Sequence, residues 1–158
     1  MSDNISVDVS DASDAEGIPA SDSIDRWVRT AVGHVVGNEL IEVSVRIVGE
    51  EEGRQLNEQF RDKAGPTNVL SFPAGDLPGG MPADTPRMIG DIVVCAPVVE
   101  REAAEQGKAP AAHWAHMLVH GSLHLLGFDH LDDHDAEKME MLEKQILAEW
   151  GIGDPYAS

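Results

Sequence analysis

The run HGSLHLLGFDH, residues 120–130, constrains this chain more than any other feature. Upstream of it, PAAHWAHMLVHGSLHLLG (110–127) is apolar and predicts one long helix of about 18 residues. Residues four apart on a helix differ by roughly 40° around the axis and about 6 Å along it. His120 and His124 therefore project from one face and can hold one ion. A third ligand cannot come from the helix itself. His116 lies on the same stripe, but roughly 12 Å of axial rise separates it from His124. Metal–nitrogen bonds of about 2.0–2.1 Å do not span that gap. The chain must stop and fold back, and Gly127 suits the stop because glycine enters the left-handed conformation that ends helices. His130 then returns three residues later. Neutral imidazoles suit zinc, and three protein ligands leave a fourth position open. The expected ligands of one zinc ion per chain are His120, His124 and His130. His116 is the rival on the helix, better suited to a supporting role, and His134 is the rival after the turn. His113 and His34 read as ordinary surface or partly buried residues.

The spacing equals that of the extended zinc-peptidase pattern H-E-x-x-H-x-x-G-x-x-H, in which the glutamate is the general base. Gly121 stands in that glutamate's place. The metal cage is kept and the peptidase base is missing. Zinc lowers the pKa of a bound water to about 7, so hydrolysis remains available. Attack on a phosphodiester would also need a cation for the developing charge, and arginine offers a planar fork to phosphate oxygens.

The rest of the chain predicts an α+β fold: a single domain over residues 1–158, with a small mixed sheet of about four strands and about five helices. The metal site falls on a long helix and the following turn. ISVDVS (5–10) and IEVSVRI (41–47) alternate as strands, and VLSF (69–72) and MIGDIVVC (88–95) complete the sheet. Helices are expected from Ile24 to Val35 with Asp22 or Ser23 as N-cap, over 50–62, over 96–108 with Pro97 in the first turn, and over 131–151. In the last of these Met139, Leu142, Ile146 and Trp150 form the apolar side. Residues 10–22 read as an acidic loop and 74–87 as a second loop.

The net charge of −18 argues against a broad basic nucleic-acid face. Residues 1–25 carry seven acids and no base, while 26–128 hold nine of the eleven basic residues, so a small local basic site is permitted. No apolar run is long enough for a membrane span, and the acidic start predicts no signal or transit peptide. The single cysteine, Cys95, follows the apolar IVV and reads as a core residue of a cytoplasmic protein.

Three separated stretches, HGSLHLLGFDH (120–130), LNEQFRDKAGPTNVLSFP (56–73) and IGDIVV (89–94), together resemble the YbeY family of bacterial endoribonucleases. The likeness runs in order from about residue 24 to residue 150. The family motif H-G-x-L-H-L-x-G-[YF]-D-H is matched throughout residues 120–130. The resemblance implies a single-strand-specific, zinc-dependent endoribonuclease of ribosomal RNA maturation, notably at the 3′ end of small-subunit (16S) RNA, and of ribosome quality control. Its implied partners are single-stranded RNA and the small ribosomal subunit or ribosome-associated proteins. It places the metal on His120, His124 and His130, with His120 and Arg61 in catalysis. Arg61 would steady phosphate charge, although a helix C-terminus also favours a cation there. Thr67, Asn68 and Ser71 fall in a segment that lines the family's cleft and are candidates for substrate binding. Thr67 and Asn68 are also turn formers in their own right. Asp91 is a candidate to orient a ligand histidine, or to make an ordinary turn or helix hydrogen bond. Asp129 adjoins His130 and could accept a proton, orient the ring or cap a helix. A non-catalytic ribosome-assembly factor with structural zinc, and a zinc peptidase, are the alternatives.

Overall fold

A computed structural model describes residues 4–13, 18–37, 39–60, 68–74, 87–128 and 133–153. The elements follow in the order β1 (Ile5–Asp11), α1 (Ser21–Val36), β2 (Ile41–Val48), α2 (Glu50–Phe60), β3 (Val69–Pro73), β4 (Arg87–Cys95), α3 (Ala96–Glu105), α4 (Pro110–Leu125) and α5 (Asp133–Ala148). Strand order is β1-β2-β4-β3. β1 and β4 flank β2 in parallel, and β3 closes the sheet antiparallel to β4. The expected mixed α+β architecture is therefore present, with four strands and five helices among the described residues.

Alternation decides which side of the sheet each residue serves. In β2, Ile41, Val43, Val45 and Ile47 are buried while Glu42 and Arg46 are exposed. That face joins Ile92 and Val94 of β4 and the apolar sides of α1, α4 and α5 in one large core. The opposite face is smaller. Val48, Leu70, Val93, Cys95 and Val98 pack there, with Leu56 of α2 against them. Cys95 is buried as expected, and burial pushes its thiol pKa up.

The start of α1 and the connection before it differ from expectation, and α3 ends at Glu105 rather than at 108. β1 continues to Asp11 and α1 begins at Ser21, so the acidic connection is shorter than residues 10–22. The N-cap of α1 is Ala20, in an extended conformation and without a side-chain cap, rather than Asp22 or Ser23. Asp22 instead lies in the first turn, where the exposed backbone N–H groups favour an acid. The first turn closes on the Ala20 carbonyl, which accepts from the Ser23 N–H at 3.0 Å and the Ile24 N–H at 3.2 Å. Most of the expected 74–87 loop lies outside the described residues.

A bulge interrupts the pairing of the two inner strands, β2 and β4. Glu42 pairs with Met88 and Val43 with Gly90, so Ile89 is the extra residue. Gly90 has φ +142°, and a Cβ there would lie 2.3 Å from the Phe72 carbonyl oxygen and 2.8 Å from Cδ2 of Leu125. Only glycine lets β3, β4 and the end of α4 meet this closely. No described helix is long and apolar enough to cross a membrane.

Candidate metal centre

α4 is the central helix of the large core. It packs on β3 and β4 and also touches α1, α3 and α5. Trp114, Ala115, Leu118, Val119 and Leu123 are fully buried on it, which explains its nearly unbroken apolar sequence. Pro110 stands in its first turn, where the missing N–H costs nothing. It ends as the glycine predicts. Gly127 has φ +100°, its N–H donates to the His124 carbonyl at 3.0 Å, and the Phe128 N–H donates to the Leu123 carbonyl at 3.1 Å. This pair of bonds is the Schellman stop. A Gly127→Ala variant is expected to lose about 1–2 kcal/mol, since a Cβ disfavours the left-handed backbone. Denaturant unfolding of the two proteins measures it.

The end of this helix carries two of the expected ligands. His120 and His124 are each partly exposed, and their Nε2 atoms lie 3.1 Å apart. The other nitrogen of His120, Nδ1, lies 3.0 Å from Oε1 of Glu143 on α5. Glu143 is fully buried, and its Oε2 accepts from Nε2 of His116 at 2.6 Å. An ionised Glu143 only accepts, and with it Nδ1 of His120 carries the proton and Nε2 presents its lone pair toward His124. Two nitrogens that share one tetrahedral zinc at about 2.0–2.1 Å stand about 3.4 Å apart, close to the separation here. The donor set therefore fits a metal. His116, His120 and Glu143 also form a group that could hold a metal ion, with one ligand atom of each within 4.8 Å of the others.

The remaining candidates divide by position. Arg61, Thr67, Asp129 and His130 lie outside the described residues. Ser71 on β3 donates its hydroxyl to the Gly121 carbonyl at 2.9 Å, tying the edge strand to α4 beside His120. Asn68 donates its amide to the Glu102 carboxylate at 3.0 Å and accepts from the Val69 N–H at 2.7 Å. Glu102 also meets the buried His113 at 3.0 Å. Asp91 is exposed, and alternation puts it opposite Ile92, the residue that packs against α4, so it orients no described histidine. His134 is exposed on α5, and His34 pairs with Glu149.

Comparisons with known proteins place the chain in a family. A family model described as "Endoribonuclease YbeY" matches residues 8–151. The chain belongs to the YbeY family. A relative named Endoribonuclease YbeY from Halorhodospira halophila is 55% identical over 139 residues, covering 87% of this chain and 88% of its own. One of the same name from Xanthomonas campestris is 51% identical over 154 residues, covering 97% and 94%. The solution structure of TM1509 from Thermotoga maritima superposes with a TM-score of 0.56 at 27% identity, over 98% of this chain and 99% of that one.

Within this YbeY-family chain, the glycine after the first motif histidine has a packing reason. A Cβ on Gly121 would lie 3.0 Å from Cγ2 of Ile92, 3.2 Å from Cγ2 of Val69 and 3.4 Å from the Ser71 hydroxyl. The helix presses its backbone onto β3 and β4 at that residue, so a glutamate there would have to push Ile92 and Val69 aside. The residue that sequence reasoning missed is Glu143. Its signal was present: it sits four residues after Met139 and three before Ile146, both fully buried. An acid on the buried stripe of an amphipathic helix requires a buried partner.

Proposed function

We propose that this protein is a single-strand-specific, zinc-dependent endoribonuclease that acts in ribosomal RNA maturation in the cytoplasm. Family membership supports the reaction class. The observation that carries the assignment to this site is the convergence of the His120 and His124 Nε2 atoms at 3.1 Å, on the helix that bears the family motif. In this reading His120, His124 and His130 hold one zinc ion. When bound, zinc lowers the pKa of water at the site to about 7 and so makes a nucleophile available at neutral pH. The protein's own groups supply the rest. Glu143 keeps the His120 ring in one tautomer. Arg61 pairs with a phosphate oxygen and offsets charge that builds as the phosphodiester is attacked. Ser71 on β3 lies beside α4 and Asn68 directly precedes that strand; in this reading the RNA strand would run along this segment, with Thr67 as a further substrate contact. The net charge of −18 weakens general affinity for RNA. It favours delivery of the substrate through contacts with the small ribosomal subunit or its proteins.

The test compares purified protein on single-stranded RNA and on single-stranded DNA of the same sequence. RNA is cut, DNA is spared, chelation stops cleavage and zinc restores it. Arg61→Ala is expected to lower the cleavage rate about 100-fold or more, as for loss of a preorganised group facing transition-state charge. Equal cutting of RNA by wild type and Arg61→Ala would remove Arg61 from the mechanism. Equal cutting of RNA and DNA would remove the substrate assignment.

A further inference from the structure

We propose that Glu143 is a positioning residue for the metal centre. It fixes His120 through Nδ1, is itself fixed by His116, and does not bind the ion. This inference rests on the reading that His120 and His124 share the metal.

Three observations carry it. First, the contact that anchors Glu143 is a short hydrogen bond. Glu143 Oε2 lies 2.6 Å from His116 Nε2, and Oε1 lies 3.0 Å from His120 Nδ1. Two ligand atoms on one tetrahedral ion stand about 3.4 Å apart, so the shorter contact is too tight for a pair of metal ligands. It suits an N–H donor and a carboxylate acceptor. Second, burial runs the wrong way for an open metal site. The Glu143 side chain is fully buried and that of His116 is 9% exposed, whereas that of His120 is 19% exposed. A catalytic ion needs one position open to solvent, and solvent access rises from Glu143 toward His120. Third, His120 has two nitrogens and uses them differently. Nδ1 faces Glu143 and Nε2 faces His124. A carboxylate on the far nitrogen of a ligand imidazole sets its tautomer and ring angle and raises its basicity. Glu143 reaches His120 from a different helix, so it also locks α5 to α4 where the site is built.

The test uses metal-free protein, with zinc affinity read by competition against a chromophoric chelator and coordination read from the visible spectrum of bound Co2+. Circular dichroism checks folding. Glu143→Gln keeps the size but cannot accept from both histidines, and zinc affinity is expected to fall about 10–100-fold. The saturated Co2+ spectrum should keep its intensity, because the ligands are the same. Glu143→Asp keeps the charge one methylene short, and an intermediate affinity is expected; this variant decides the matter if the glutamine variant does not fold. His116→Ala should weaken zinc less than Glu143→Gln does and leave the spectrum unchanged. Wild-type zinc affinity in a folded Glu143 variant would overturn the positioning role while leaving the His120–His124 centre intact. If Glu143→Gln and His116→Ala each altered the saturated Co2+ spectrum and His124→Ala did not, the ion would sit on the buried group. The positioning role and the ligand set would then both fall.

Discussion

Replacing Gly121 with glutamate restores the H-E-x-x-H sequence of zinc peptidases, and it is expected to unfold the protein rather than convert it. The first atom of the new side chain meets Ile92 at 3.0 Å and Val69 at 3.2 Å. Ile92 is fully buried in the middle strand pair and has little room to yield. Overpacking alone costs about 1–3 kcal/mol, and an uncompensated buried charge about 3–5 kcal/mol more. The sum, about 4–8 kcal/mol, is enough to unfold a domain in the lower half of the ordinary range of about 5–15 kcal/mol. Gly121→Ala isolates the first term and should remain folded with stability lowered by about 1–3 kcal/mol. Thermal and urea unfolding of both variants measure the two effects. A folded Gly121→Glu protein of near wild-type stability would mean that α4 does not press on the sheet at this residue.

His124→Ala is expected to leave the fold standing and to remove the chemistry. The ring is partly exposed on the last turn of α4, away from the apolar positions that hold the helix in place. Its loss should therefore cost little stability in the metal-free protein. Zinc would then lose one of the two nitrogens that converge at 3.1 Å. Loss of a supporting hydrogen bond to a metal ligand lowers affinity or activity by about 10–100-fold, and loss of the ligand itself should exceed that. RNA cleavage is expected to drop by more than about 100-fold, with zinc content falling below one ion per chain. Cleavage within a few-fold of wild type, with zinc retained, would move the metal off this pair.

Much of the fold was legible because its signals are local. The alternation of Ile41, Val43, Val45 and Ile47 marks a strand with one buried face, and the structure places those four residues in the large core. The apolar run from Trp114 to Leu125 marks a helix buried on most sides. Gly127 marks its end, and the two capping bonds form where the glycine allows them. The start of α1 was less legible. Asp22 and Ser23 have cap-forming side chains, yet the first turn closes on the Ala20 carbonyl and no side-chain cap is made. Asp91, polar within an apolar strand, left two readings open, a histidine partner or an ordinary turn or helix hydrogen bond. Strand alternation sends it to the other face of the sheet.

The sequence by itself determined that His120 and His124 share one helix face and that the helix stops at Gly127, because helical pitch and backbone sterics act over only a few residues. It also determined the alternation that builds the sheet. Only the tertiary structure decided that Glu143, 23 residues beyond His120, ends up bonded to it and to His116. It likewise decided that Gly121 is a contact between helix and sheet rather than a lost catalytic acid. Those pairings join elements that are distant along the chain. No periodicity within either element specifies the partner; the packing of α4 between α5 and the edge of the sheet does.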